Sequence, residues 1–477
     1  MLDEALEHGD AVAAADHLDR TVVLVNARVW PAGDRLTVTG GVIGPPDAEG
    51  EQVDLGGATV VPGLVDAHVH FPSWALGRRE LSLFGTRSLS EALERIEAAE
   101  KPAERSGDEA SGRGRGWLRG RGWREEEWPE GERPTRAALD SVTGDVPTAL
   151  RAHDGHTLWV NSAALAAGGG VDDDDGLLRE HDAWDFFDAH AAATPEETLD
   201  AVRDALPAAH AAGVTGVHDK DGARGAPEAF AALRAAGELT LRVWQSVPDP
   251  DPARGSYMKV FMDGTLGSST ALLIGGGGMR LMGPEGLAEA IRAAAAAGMP
   301  VAVHAIGDLA NREALDGFEA TEALWRPLGL RHRVEHAQCV HPDDVARFAR
   351  LGITASVQYT HATSDRELAA RLWADRLDHA YPYRQLLDAG VRLAGGSDAP
   401  VEELDPLAGL RAAAECGVSL EEALTSFTET PAWLEGAEHR RGRLSAGFDA
   451  DLVVLDGDRV RATMVAGRWV HGQPRAS

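Results

Sequence analysis

The chain has 477 residues, 44% of them hydrophobic, enough for one large barrel-type domain with a smaller companion. Its formal charge of −30 excludes nucleic acid and anionic membrane surfaces as partners, since both require basic protein. Two cysteines, Cys339 and Cys416, define no disulfide framework and fit a reducing cytoplasm, and no run approaches 18 uncharged apolar residues, so no membrane span is expected.

In chain order, residues 1–19 read as an acidic N-terminal tail, without the basic and apolar regions of a signal peptide. Residues 20–62 are strand-like, with "RTVVLVNARVW", "RLTVTGGVIG" and "ATVVPG" separated by Gly and Pro. Residues 431–477 read the same way, in "ADLVVLD", "RATMVAG" and "RWVHG". The two ends therefore predict a small β-sandwich built from both termini, with 63–430 inserted between its halves.

The middle alternates strand and helix. Strand candidates are 64–70, 147–153, 213–219, 240–246, 257–263, 299–305, 332–337, 352–358 and 390–398. Helical stretches such as "EGLAEAIRAAAAAG" and "HPDDVARFARLG" lie between several of them. Repeated β–α units predict an α/β fold, a parallel (β/α)₈ TIM-type barrel. Nine candidates exceed eight strands, so either 240–246 or 257–263 is surplus. "SLSEALERIEAA" is an amphipathic helix opened by a capping Ser. "VDDDDG" at 171–176 lacks the ligand spacing of a calcium loop and reads as solvated.

Polar residues able to bind metal sit at the trailing ends of these strands. His68 and His70 end the first, spaced by two and so on one face. His304, His336 and Asp398 end later ones. In a parallel barrel those ends converge on one mouth, where active sites sit. Neutral imidazole and carboxylate are good first-row metal ligands, and a catalytic zinc takes about three protein ligands plus an open position. Singly, each His is more often a hydrogen-bonded structural residue; the case rests on their joint occurrence at successive strand ends. His156 and His361 follow strands and are candidate substrate-binding residues, and His218 a candidate supporting residue. Trp123 and Trp128 read either as an aromatic substrate wall or as packing for a long loop, and His210 and His341 as surface residues.

Lysine is rare here. Only Lys101, Lys220 and Lys259 stand among 46 basic residues. With an acidic surface and many small residues, this resembles adaptation to concentrated salt, where the Debye length shrinks to about 3 Å at 1 M. Lys259, inside "SYMKVFMDGT", is then conspicuous. A buried lysine can shed its proton and take up CO₂ as a carbamate, an anionic oxygen donor able to bridge two metals, which arginine cannot do. The competing reading is half of a buried ion pair with Asp263.

"VVPGLVDAHVHF" resembles the signature of the amidohydrolase superfamily. "GRGWREEEWPEGERPTRAALD", "HDGHTLWVNSAAL", "KVFMDGTLGSSTAL", "VAVHAIGDLAN", "RHRVEHAQ", "SVQYTH" and "GGSDAPVEELDPL" extend the likeness, almost end to end, to its YtcJ-like branch (amidohydrolase 3 family), which includes N-substituted formamide deformylases. The resemblance implies a metal-dependent hydrolase barrel beside the sandwich. It implies His68, His70 and Asp398 on one divalent ion, His304 and His336 on a second, and carbamylated Lys259 between them. Zinc suits such ligands, as do manganese, iron and cobalt. Two positions depart from the branch: Ser269 stands where Arg is frequent, and Tyr359 where Pro is usual.

The expected activity is hydrolysis of a non-peptide, amide-type C–N bond in a small molecule by a metal-activated hydroxide. Asp398 would shuttle the proton, and His304 or His336 would stabilise the oxyanion. Alternatives are a mononuclear deaminase or cyclic-amide hydrolase of the same superfamily, or a catalytically silent binding protein. A homodimer is compatible with the sequence.

Overall fold

The computed structural model describes residues 20–100, 116–168, 175–222 and 225–474. The acidic tail and residues 171–174 of the VDDDDG stretch lie outside the described residues. By internal packing the chain forms two compact units. One comprises Met1–Pro72, Leu199–Leu266 and Ala271–Ser477, the other Ser73–Thr198 with Gly267–Thr270.

The first unit is built on eight strands: β1 (Leu64–Val69), β2 (Val214–Asp219), β3 (Arg242–Val247), β4 (Tyr257–Phe261), β5 (Val301–Ala305), β6 (Arg333–His336), β7 (Thr354–Val357) and β8 (Leu393–Gly395). They pair in sequence order, all parallel. Every residue of β2, β5, β6, β7 and β8 is buried, the near-continuous burial of parallel strands covered on both faces. Helices Pro284–Ala296, Asp308–Trp325 and Pro342–Leu351 follow β4, β5 and β6. Their Leu287, Ile291, Phe318 and Phe348 share one core with Val301, Val303 and Val334.

The barrel is nearly closed. β8 meets β1 through residues just past its end, where Asp398 N–H donates to His68 O at 2.7 Å and His70 N–H to Ala399 O at 2.8 Å. This approach requires Gly396, because a Cβ there would lie 2.5 Å from the His68 backbone nitrogen.

Both doubtful strand candidates belong to the barrel, as β3 and β4. The surplus one is Thr148–Ala152, which pairs in the second unit with Leu118–Trp123 and Thr157–Val160. Its Ala149 and Leu150 are fully buried within that unit, so the run is as apolar as a barrel strand and periodicity alone could not separate the two.

Strands from both chain ends share one sheet, in which Thr59–Pro62 runs antiparallel to Leu452–Asp456. A four-stranded sheet from Thr21–Val25, Leu36–Thr39, Val42–Ile43 and Glu51–Asp54 accompanies it. Leu24, Val38 and Val53 of one and Val60, Leu452 and Met464 of the other form a common core. The α/β barrel with an additional β domain from both termini is the predicted fold.

The second unit holds a five-stranded sheet ordered Leu177–Arg179, Thr157–Val160, Thr148–Ala152, Leu118–Trp123, Leu81–Ser82. The predicted helix appears as Leu89–Ala98, with Ser88 accepting the Glu91 N–H at 3.1 Å. No helix among the described residues is long and apolar enough to cross a membrane.

Candidate metal centre

β1 places two histidines at its trailing end. His68 is buried, with Nδ1 2.7 Å from Glu335 Oε2 on β6. His70 Nδ1 lies 2.7 Å from Asp221 Oδ1, just past β2. Carboxylates accept, so each ring donates through Nδ1–H and keeps its lone pair on Nε2. Both Nε2 atoms face Asp398 Oδ1, at 3.2 Å for His68 and 3.6 Å for His70.

Asp398 follows β8 in the left-handed region, at φ 61°. Its backbone is tied to β1 as described above. Buried Asp66 fixes the preceding turn by accepting the N–H groups of His68 and Ser397 at 3.1 and 3.0 Å. Burial raises that carboxyl to about 6 despite those bonds.

The other two histidines end β5 and β6. His304 Nε2 lies 3.2 Å from Gly264 O, and His336 Nδ1 lies 2.9 Å from Gln358 Oε1. Each therefore commits one N–H to a protein oxygen. His336, at φ 75°, brings its ring centroid within 4.5 Å of His304 and 4.6 Å of His68. Donor atoms of His68, His336 and Asp398 all lie within 4.8 Å of one another.

Electrostatics favour a bound cation at this point. Burial lowers His68 below its ordinary value and His336 well below it, which favours the neutral rings. Burial opposes ionisation of Asp398 too, but the neighbouring His68, His336 and His70 outweigh it and hold the carboxyl well below the carboxylate range. The Nε2 atoms of His68 and His70 and one oxygen of Asp398 thus converge on one point. Such a set of acceptors is stable around a metal ion and repulsive without a cation.

Lys259 stands on β4 and is buried. Its Nζ makes no hydrogen bond among the described residues and sits 3.9 Å from the Phe261 ring centroid. Burial brings its amine down to about 8, against the attraction of Glu335 and Asp398. Asp263, the suggested ion-pair partner, instead accepts backbone N–H groups of Ile306, Gly307 and Leu272 at 3.0, 2.8 and 2.9 Å.

Behind the histidines lies a buried charge network that single residues did not announce. Glu335 accepts from His68 and from Lys220 Nζ at 3.0 Å, and forms an ion pair with Arg333 at 2.8 Å. Arg333 also lies 2.7 Å from His218 Nδ1, whose Nε2 is 2.9 Å from Glu435. Glu335, Asp221, Lys220 and Gln358 were missed as supporting residues. Their local signal was charge or amide groups in or beside an apolar strand, as in "RVEHAQ" and "HDKDG".

His361 is buried, with Nδ1 2.9 Å from Gln338 Nε2 and Nε2 3.9 Å from Asp398 Oδ2. Tyr359 packs fully buried against Tyr383 and Phe427. His210 is a correction: it is buried, bonded to Val214 O and Thr240 Oγ1 at 2.9 and 2.8 Å, because its helix packs that face inward. His341 caps helix Pro342–Leu351 by accepting the Asp343 N–H.

Within the second unit, Trp123 is 3% exposed, packs with Trp128 and Trp159, and donates its indole N–H to Leu150 O at 2.9 Å. That is the packing alternative. His156 there is fixed by Glu180 at 2.6 Å. A second close grouping in the barrel unit, Asp308, Cys339 and His379, has its carboxylate already paired with the Arg376 guanidinium at 3.1 Å.

Comparison with known proteins identifies the family. Residues 51–476 match the family model described as "Amidohydrolase family". The protein YtcJ of Bacillus subtilis (strain 168), named as an amidohydrolase, is 31% identical over 472 residues, covering 86% of each chain. The N-substituted formamide deformylase of Arthrobacter pascens is 26% identical over 519 residues, covering 94% of this chain and 92% of its own. Among solved structures, an uncharacterized metal-dependent hydrolase from Pyrococcus furiosus superposes with a TM-score of 0.72 at 26% identity, over 92% of this chain and 99% of that one. The chain belongs to the amidohydrolase family.

Proposed function

We propose that the protein is a metal-dependent hydrolase of small molecules carrying an amide-type, non-peptide C–N bond. One observation carries this reading: the Nε2 lone pairs of His68 and His70 converge on one oxygen of ionised Asp398 at 3.2 and 3.6 Å, with the His336 ring alongside. His68, His70 and Asp398 would hold one divalent ion, His304 and His336 a second, and Lys259, as its carbamate, would join them. Carbamate formation is balanced: the neutral Nζ adds to the carbon of CO₂, a C–N bond forms, and one proton leaves. When bound, the ions would lower the pKa of a water from 15.7 to about 7 and polarise the substrate carbonyl.

The protein's own residues supply orientation and proton transfer. Glu335 and Asp221 keep the Nδ1–H tautomers of His68 and His70, so both rings present Nε2 to the site. Asp398 Oδ1 faces those rings, while Oδ2 is the oxygen turned toward His336 and His361. Asp398 would take the proton of the attacking water and return it to the departing nitrogen.

The test is a screen of metal-stripped and Zn²⁺- or Mn²⁺-loaded protein on N-formyl amines, hydantoin-type rings and aminoacyl amides. The relative named as a formamide deformylase makes N-formyl amines the first probes. Formate and free amine should appear only after metal loading. Ammonia release from ring amines instead would indicate a deaminase. No turnover in any metal form would overturn the proposal.

A further inference from the structure

The oxyanion that forms when an amide carbonyl is attacked needs a preorganised N–H donor. His304 and His336 are poorly suited to provide one. A neutral imidazole has a single N–H, and these rings direct theirs to Gly264 O and Gln358 Oε1. His68 and His70 spend theirs on Glu335 and Asp221.

His361 differs. Its Nδ1 faces Gln338 Nε2 at 2.9 Å, and an amide nitrogen can only donate. Nδ1 is therefore the acceptor, and the neutral ring carries its proton on Nε2. That Nε2 is buried and has no hydrogen-bond partner among the described residues. It lies 3.9 Å from Asp398 Oδ2, too far for a hydrogen bond but beside the oxygen assigned to proton transfer. The ring is 11° from parallel with His336, at a centroid distance of 6.4 Å. A buried N–H left without an acceptor is costly, and a ligand oxygen would relieve it.

We propose that His361 Nε2–H donates to the carbonyl oxygen of the scissile amide and to the oxyanion it becomes, with Gln338 as the residue that sets its tautomer. The inference rests on the amide-hydrolysis reading above. As the water oxygen bonds to the carbonyl carbon, the C=O π pair moves onto oxygen, which the N–H stabilises without giving up its proton. The pair then returns, the C–N bond breaks, and the nitrogen leaves with the proton carried by Asp398.

The experiment uses the full chain loaded with Zn²⁺ and two probes, methylphosphonate for binding and N-benzylformamide for turnover. His361→Phe removes the donor, His361→Gln restores an N–H, and Gln338→Leu releases the tautomer control. Metal content should stay at the wild-type level in all three. Methylphosphonate affinity should fall about tenfold or more in His361→Phe, recover partly in His361→Gln, and fall less in Gln338→Leu. The kcat for N-benzylformamide should drop by roughly 10²–10³ in His361→Phe, with little change in KM. If wild type binds methylphosphonate through His361 but hydrolyses no amide, the substrate class fails and the donor role stands. Unchanged phosphonate affinity in His361→Phe, no phosphonate binding by wild type, or loss of metal from the variants would overturn the inference. Should His361→Phe fail to fold, Gln338→Leu and His361→Gln alone decide it.

Discussion

Replacing Lys259 by Met tests what the buried amine is for. The side chain is 7% exposed and its Nζ has no hydrogen-bond acceptor among the described residues. Its fall from 10.5 to about 8 means that the protonated amine is disfavoured in the metal-free fold by about 3 kcal/mol. The folded value lies below the unfolded one, so this penalty is complete below pH 8 and vanishes as pH rises to 10.5. Metal-free Lys259→Met should therefore be the more stable protein at pH 7, by up to about 3 kcal/mol, with a higher urea midpoint. The difference should close as the pH is raised through 8 toward 10.5. Metal binding should respond in the opposite sense, because the variant cannot form a carbamate: it should lose about one ion per chain by elemental analysis, and most activity with it. In wild type, the neutral fraction of the amine grows from about a tenth at pH 7 to about half at pH 8, so bicarbonate should speed metal reloading roughly fivefold over that interval. A variant that keeps two ions and melts earlier than wild type would show that Lys259 is half of a structural ion pair, and the bridging role would be lost.

Asp398→Asn should fold normally and slow turnover by about 10³ or more in single-turnover assays, and a fully active variant would remove the proton shuttle. Asp221→Ala frees the His70 ring and should weaken metal binding about 10–100-fold in competition with a chelator, with secondary structure unchanged by circular dichroism. Burial disfavours the protonated Lys220 amine as well, but Lys220→Met takes a bonded partner from the Glu335 carboxylate in a dry interior and should cost about 3–5 kcal/mol in denaturant titration. Adding metal to stripped wild-type protein at a hundred times its dissociation constant should raise stability by about 2.7 kcal/mol, and an unchanged melting temperature would refute metal binding by the folded state.

The strand ends were legible because a parallel barrel enforces a simple rule. Apolar runs fill the wall, and a polar residue at the trailing end points into the mouth, so His68, His70, His304, His336 and Asp398 announced themselves. Their partners did not. Glu335 meets His68 across 267 positions of sequence, and no local period encodes such a contact. Glu335 is also next to His336, where it reads as an incidental neighbour, although its carboxylate meets His68 Nδ1 at 2.7 Å while His336, at φ 75°, sets its ring against His304. The second unit was invisible for another reason. Thr148–Ala152 is buried on its own account, and burial fixes composition without saying which sheet a strand joins. Trp123 left two readings open, since a large ring beside a loop suits a core as well as a substrate wall.

The scarcity of lysine is explained differently at the two described positions within the barrel unit. Lys220 and Lys259 are both buried, so burial alone does not select a reactive amine. Lys220 is spent: its Nζ donates to Glu335 Oε1 and to the Tyr257 hydroxyl at 3.0 and 3.2 Å. A carbamate there would place an anion against Glu335 and break the support of His68. Lys259 has little to lose by reacting, because its nitrogen has no acceptor among the described residues and lies in the field of Glu335 and Asp398. Arginine could replace neither residue. At 220 its broad fork would have to share a carboxylate already held by Arg333, and at 259 its guanidinium would stay charged and could not take up CO₂. One lysine thus secures His68 through its carboxylate, while the nitrogen of the other makes no hydrogen bond among the described residues.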